Sequence, residues 1–391
     1  MEPIYLDCNA TTSVATEVLE AMLPWLGARC GNPSSLHLRG SEAADAVGAA
    51  RRSVARLVGA RSASEIVFTS GGTESDVAAL FSHARNARAA RRIVATAVEH
   101  PAVLESLARL AEERFEIALA PVDAEGRLDV ERFVALLDEA PCALATAMWA
   151  NNETGVLNDV ARLGLACRER GVPLHVDAVQ AAGRLPLRVA QLPVDSLALS
   201  AHKLHGPKGI GALYLRRGVP FRPLVVGGGQ EEGRRGGTEN VPAIVGFGRA
   251  CELALAGLDR AADIARLRDR LESGALEALL GVNVNGGGAP RLSNTTNLRF
   301  EGLSGEALVT LLSALGVCAS TGAACSSGKR APSHVLLAMG LDPAAASSSV
   351  RFSLSRETRA AEVETALVRL IEAVVRLRAL SSGAPQPVSA G

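Results

Sequence analysis

The chain has 391 residues, 48% of them hydrophobic, and its 41 basic and 41 acidic side chains cancel to a formal net charge of zero. That length supports more than one domain and a large core. The balanced charge gives no footprint for nucleic acid or an anionic membrane, and no charge-free apolar stretch reaches the ~18 residues of a spanning helix. The opening Met-Glu-Pro-Ile-Tyr-Leu-Asp lacks a basic and then apolar signal. Seven scattered cysteines without a Cys-x-x-Cys pair fit a reduced, cytoplasmic protein better than a disulfide or zinc scaffold.

Taken in chain order, Ala44, Val47, Ala50, Val54 and Leu57 fall at helical spacing and predict a helix over 41–58. Short apolar runs at 65–69, 92–96, 142–146 and 196–200 read as strands, and His175-Val-Asp177 reads as the end of another. Helical and strand patterns alternate from about residue 13 to 250, which predicts a mostly parallel sheet covered by helices. Residues 227–237 are too rich in glycine and charge for a regular element. Residues 257–280 predict an amphipathic helix with Ile264, Leu267, Leu271 and Leu279 inward, opening a second domain. Val363, Leu367, Leu370, Val374 and Leu377 mark a last helix, and the small, polar 381–391 is expected to be a disordered tail.

Only three lysines occur, and two of them, Lys203 and Lys208, lie in Ser200-Ala-His-Lys-Leu-His-Gly-Pro-Lys208. A chain that uses arginine for plain charge keeps lysine where an amine is needed, because only lysine can lose its proton and form a Schiff base. Asp177 precedes Lys203 by 26 residues at a strand end. An Asp there can hold a pyridine nitrogen protonated while the lysine carries the cofactor, which suggests a pyridoxal phosphate site. Thr69-Ser-Gly-Gly-Thr-Glu74 follows a strand and precedes a helix. Its Gly72 and Thr73 suit a phosphate at a helix N-terminus, or simply an N-capped turn. His100 follows a strand and either stacks on a flat ring or sits in a surface loop. Asn151 and Asn152 either orient a carboxylate or ring oxygen or form a polar turn. The loop 227–240 is too long and polar for a hairpin turn, so a functional role competes with plain solvation. Cys325 lies among small residues that suit an accessible thiol, or is an ordinary loop cysteine, whereas Cys8, Cys30, Cys142, Cys167, Cys251 and Cys318 read as packing residues.

Together these segments resemble the cysteine desulfurases of the nitrogen-fixation and iron–sulfur type. The matching pieces are Tyr5-Leu-Asp-Cys-Asn-Ala-Thr-Thr12, Gly31-Asn-Pro-Ser-Ser35, the 69–75 turn, Glu99-His-Pro-Ala-Val103, Asn151-Asn-Glu-Thr-Gly155, His175-Val-Asp-Ala-Val-Gln180, the lysine segment, the 227–240 loop and the Cys325 loop. The resemblance implies a homodimeric α/β enzyme of the aspartate-aminotransferase fold type that uses pyridoxal 5'-phosphate. Its large domain would span 13–255 around a mostly parallel seven-stranded sheet. Its smaller α+β domain would comprise 1–12 and 256–380 and carry Cys325. By the same resemblance Lys203 carries the cofactor, Asp177 pairs with the ring nitrogen, Gln180 bonds the ring hydroxyl and His100 stacks on the ring and shuttles protons. Gly72, Thr73, Ser200 and His202 hold the phosphate, with Thr238 supplied by the partner subunit. Asn152 and Arg351 hold the carboxylate of L-cysteine, and Cys325 receives the sulfur as a persulfide. The sulfur would pass to an iron–sulfur scaffold or another acceptor protein, where Cys325 could transiently ligate a cluster; no intrinsic metal is expected. Selenocysteine lyase and aminotransferase are the alternatives on the same fold.

Overall fold

A computed structural model describes residues 3–87, 89–322 and 331–381. The N-terminal strand β1 (Ile4–Tyr5) is followed by the strands of one seven-stranded sheet: β2 (Ile66–Thr69), β3 (Arg92–Thr96), β4 (Glu116–Ala120), β5 (Cys142–Met148), β6 (Leu174–Asp177), β7 (Ser196–Ser200) and β8 (Gly211–Leu215). Their order is β2-β8-β7-β6-β5-β3-β4, and only β8 runs antiparallel to its neighbours. The strands expected at 65–69, 92–96, 142–146 and 196–200 all form within one or two residues of those bounds. Six of the seven residues of β5 and all of β6 and β7 are buried, as in a sheet covered on both faces, where strands read as continuous apolar runs.

The helix expected at 41–58 forms as Leu38–Val58. Its buried stripe is Ala43, Val47, Ala50, Val54 and Leu57; Ala44 is exposed, because it lies one residue, about 100°, around the helix from Ala43. The stretch expected to be irregular contains one 3-10 turn, Gln230–Gly233, in which Glu231 and Glu232 adopt positive φ of 51° and 58°.

A second sheet holds β9 (Val282–Val284), β10 (Thr295–Phe300) and, after the short β11 (Val317–Cys318), β12 (Ser349–Ser353), in the order β12-β10-β9. β1 pairs in parallel with β11, placing Ile4 opposite Val317. Ile4 and Leu6 therefore pack into a core with Leu271, Phe300, Phe352 and Val374, separate from the large core around the seven-stranded sheet. The helix expected at 257–280 starts later, at Ala261, after the 3-10 turn Leu258–Arg260. The last helix runs from Ala360 to Ser381, so the expected tail gives up its first residue to that helix, and 382–391 lie outside the described residues. No single helix among the described residues is long and apolar enough to cross a membrane.

Candidate active site

In sheets of this kind ligands sit beyond the carboxyl ends of the strands, and the candidate residues converge there. A cavity of about 180 Å³ is lined by Gly72, Thr73, His100, Asn152, Asp177, Gln180, Ser200, His202, Lys203 and Arg351. Several strand ends and turns bring them in. β6 ends on Asp177, whose Oδ1 accepts a 2.9 Å hydrogen bond from the Val179 N–H. Burial pushes this carboxyl above the ordinary carboxylate range, and positive charge on His100 and Lys203 opposes the rise. A protonated ring nitrogen placed there would draw Asp177 back to its ionised form by the same attraction.

β7 ends on Ser200 and turns through Ala201–Lys203 into the cavity. The Lys203 Nζ donates to the Ala10 carbonyl at 2.7 Å and to the Asn9 carbonyl. His202 is fastened from two sides: Thr12 Oγ1 donates to its carbonyl at 2.8 Å, and its Nδ1 lies 3.0 Å from Thr11 Oγ1. Burial and the adjacent Lys203 push the His202 imidazole down to about 4, so it is neutral at pH 7.

β2 leads into the helix Gly72–Asn86. A Cβ on Gly72 would stand 2.7 Å from Val179 Cγ2, so only glycine keeps this wall open and leaves the first N–H groups of the helix accessible to an anion. β3 leads to His100, which caps the helix Pro101–Glu112: the Ala102 N–H donates to His100 Nδ1 at 3.1 Å. The surface-loop alternative for His100 is thereby removed. With Nδ1 occupied as an acceptor, the neutral ring carries its proton on Nε2. Burial lowers its basicity below that of a free histidine.

After β5 the two asparagines part company. Asn151 staples the turn, its Oδ1 accepting from the N–H groups of Glu153 at 2.9 Å and Thr154 at 3.0 Å, while Asn152 faces the cavity. Arg351, on β12 and 3% exposed, donates from Nη2 to Asp7 Oδ1 at 2.6 Å and from Nη1 to the Asn152 carbonyl at 2.9 Å. Its Nε is buried without a hydrogen-bond partner among the described residues. Gln180 gives one Nε2 hydrogen to the Asn9 carbonyl at 3.0 Å and accepts from Arg184 at Oε1, which leaves its second amide hydrogen available.

Two candidates stand apart. Thr238 lines a different pocket with Ser70, Gly209 and Arg235 and does not reach this cavity. Cys325 lies outside the described residues. Among the other cysteines, Cys8, Cys167 and Cys251 are buried, but Cys30 is exposed, contrary to the packing role expected of it. It belongs to the segment 27–37, which continues from the helix Thr16–Leu26 without a single buried residue. Sequence reasoning gave no role to Asn9, Asp76 or Asp7. Asn9 and Asp76 line the cavity, and Asp7 grips Arg351. Asp7 and Asn9 lie within the Tyr5–Thr12 segment that carried the resemblance, and Asp76 directly follows the 69–75 segment.

The donor set fits pyridoxal phosphate: a lysine amine, a buried carboxylate, a neutral imidazole and a glycine-walled helix N-terminus share one cavity. Residues 4–366 match the aminotransferase class-V family, and the chain belongs to it. The chain is 50% identical to a cysteine desulfurase of Cereibacter sphaeroides, over 97% of this chain and 98% of that one. It is 45% identical to the cysteine desulfurase NifS of Azotobacter vinelandii, over 97% and 95%. The structure of a NifS-like protein superposes with a TM-score of 0.89 at 39% identity, covering 96% of this chain and all of that one. SspA in complex with cysteine superposes at 0.78 with 33% identity, covering 90% and 98%.

Proposed function

We infer that this chain is a pyridoxal-phosphate-dependent cysteine desulfurase, converting L-cysteine to L-alanine and leaving the sulfur as a persulfide on Cys325. The observation that carries the reading is the convergence of Lys203, Asp177 and Arg351 on one cavity. The bound cofactor supplies an electron sink for the pair released at the substrate Cα. Lys203 holds the cofactor through its amine and, once displaced by substrate, moves the Cα proton. Asp177 keeps the ring nitrogen protonated. His100 covers the ring and donates from Nε2. Gly72, Thr73, Ser200 and His202 bind the phosphate, and Gln180 donates its remaining amide hydrogen to the ring hydroxyl. Asn152 and the Arg351 guanidinium orient the substrate carboxylate, for which a planar fork is suited. The Cys325 thiolate attacks the substrate sulfur; a sulfur–sulfur bond forms, the Cβ–sulfur bond breaks, and Cβ takes up a proton to become the methyl group of alanine.

The chain divides into a large domain of 13–255 and a small domain of 1–12 with 256–380, a reading supported by one apolar cluster around the seven-stranded sheet and another that joins Ile4 and Leu6 to residues between Leu271 and Val374. The enzyme works as a homodimer in which Thr238 serves the neighbouring copy's phosphate. Support comes from the apolar side chains left in solvent on the N-terminal segment and the 227–240 approach, with Leu36 102% and Val226 78% exposed. The sulfur acceptor is an iron–sulfur scaffold or another sulfur-carrying protein.

The test is a single turnover. The purified protein, loaded with pyridoxal phosphate, is given L-cysteine while its visible spectrum is recorded and its intact mass measured. A spectral change with one added sulfur on wild type and none on Cys325→Ala is the expected result. Sulfur added equally to both proteins would overturn the Cys325 assignment, and a protein that takes up no cofactor would overturn the Lys203 assignment.

A further inference from the structure

Beneath the helix Gly72–Asn86 runs an unbroken line of buried polar side chains. Asp76 lines the cofactor cavity beside Asp177. Its Oδ1 lies 3.0 Å from His175 Nε2; His175 Nδ1 lies 2.9 Å from Ser196 Oγ; and Ser196 Oγ lies 2.9 Å from His83 Nε2. His83 in turn lines a groove of about 930 Å³ with Arg61, Arg168, Asp195 and Arg216, at the opposite, amino-terminal end of β6 and β7. Asp76 and His83 are seven residues apart, two turns on one helix face, and His175 and Asp177 are two apart on one face of β6. The two periodicities line the four groups up between helix and sheet.

We propose that Asp76, His175, Ser196 and His83 form a proton relay connecting the Asp177 end of the cofactor cavity to this groove. It rests on the reading that the cavity binds pyridoxal phosphate. In one state His83 Nε2–H donates to Ser196 Oγ, Ser196 Oγ–H to His175 Nδ1, and His175 Nε2–H to an ionised Asp76. A proton taken up by His83 from the groove shifts each of these protons one place along. The line then ends with a protonated Asp76, the His175 proton on Nδ1 and Ser196 donating back to His83 Nε2. No bond between heavy atoms changes, and both imidazoles stay neutral at each end of the shift. The net result is one proton from the groove delivered to Asp76, whose charge faces Asp177 and sets how firmly that carboxylate holds the ring proton.

The surroundings suit such a relay. Burial pushes His83 down to about 4 and His175 to about 3, so neither is held as a cation at neutral pH. Burial, with the negative charge of Asp177 beside it, pushes Asp76 up from the ordinary carboxylate range. A bare hydrogen-bond network that only filled space would need no matched pair of neutral imidazoles joined through a single hydroxyl.

The test reads the histidine tautomers of the cofactor-free protein by nitrogen-15 NMR across pH 5 to 9, with the visible band of the loaded enzyme titrated in parallel. His83 and His175 are expected to change tautomer together at one midpoint, neither passing through an imidazolium. Ser196→Ala should uncouple the two rings and shift the midpoint of the cofactor band by about one pH unit, a tenfold change in proton activity. Ser196→Thr should restore both, and His83→Gln, at the groove end, should shift the band without touching Asp76. Independent midpoints for the two rings, an imidazolium near neutral pH, or an unshifted band in both Ser196→Ala and His83→Gln would overturn the relay. A protein that binds no cofactor fails the functional reading instead, and the tautomer measurement stands apart from it.

Discussion

Asp7 holds Arg351 by a 2.6 Å hydrogen bond from Nη2 across 344 residues of chain. The Asn152 carbonyl takes Nη1, so two donors of the guanidinium are fixed before any substrate arrives, while Nε has no partner among the described residues. An arginine set in this way presents its remaining donors without first losing side-chain freedom. Asp7→Asn weakens the grip while keeping its shape. The expected outcome is a rise in KM for L-cysteine and a fall in kcat/KM of about tenfold, with cofactor binding unchanged. Arg351→Lys, which loses the fork itself, should cost about a hundredfold. Steady-state kinetics with a parallel cofactor titration checks both, and an unchanged KM in Asp7→Asn would remove the positioning role.

Arg51 and Glu231 fix the base of the 227–240 loop. The guanidinium is bidentate to the carboxylate at 2.5 and 2.7 Å, stacks over Phe68 at 4.7 Å, and shares Glu231 with the Phe68 N–H at 2.9 Å. Glu231 is buried and held at a positive φ that non-glycine residues rarely adopt. Glu231→Ala leaves Arg51 with the Ile66 carbonyl, at 2.8 Å, in place of a carboxylate, and a loss of about 2 kcal/mol in unfolding free energy is expected. The loop carrying Thr238 should be displaced with it, so cofactor retention on dilution should weaken as well. Denaturant unfolding and gel filtration with absorbance detection measure the two effects separately.

Part of this site is legible in one dimension. Lys203 stands out because arginine supplies nearly all other positive charge, and Asp177 because it closes an apolar strand. Asn9, Asp7 and Asp76 are different. They meet Lys203, Arg351 and His175 over separations of 194, 344 and 99 residues, and no local pattern encodes such contacts. The helix Leu38–Val58 shows a subtler limit: periodicity fixes the spacing of the buried stripe, but its phase depends on the layer it packs against, so Ala43 is inside and Ala44 outside. Cys30 shows the converse, since an apolar side chain is buried only where another layer covers it.

Glu153 bonds one end of the stretch containing Cys325 and packs closely against the other. Its Oε2 accepts from Ser333 Oγ at 2.6 Å, and the same oxygen would stand 2.8 Å from a Cβ on Gly322. Ser333 Oγ also accepts from the Leu336 N–H at 3.2 Å, capping the helix His334–Ala338. Glu153→Ala removes the partner of Ser333 Oγ and opens space beside Gly322. Sulfur transfer to Cys325 should slow by about tenfold while the spectral response to L-cysteine keeps its amplitude, because the cofactor's own contacts are untouched. Rapid-quench mass measurement of the persulfide against stopped-flow absorbance separates the two steps.

Glu99 predicts a pH dependence of stability. It is fully buried beside Asp177, and burial raises its carboxyl to about 8, despite hydrogen bonds to Oε1 from Thr96 Oγ1 at 2.5 Å and the Met148 N–H at 2.8 Å. Oε2 has no partner among the described residues, so the protonated form is the one the interior favours. The unfolded chain releases this proton near the ordinary glutamate pKa of about 4.3. Between there and about 8 the unfolded state therefore binds fewer protons than the folded one, and the stability from this group, full at low pH, is lost as pH rises through that window. Glu99→Gln keeps an oxygen for Thr96 and Met148 but cannot ionise. Its stability relative to wild type should climb from pH 5 to pH 8 by a few kcal/mol, about 1.4 for each pH unit crossed. Urea unfolding of both proteins at several pH values gives that difference directly; two curves that stay parallel would place the buried proton on Asp76 or Asp177 instead.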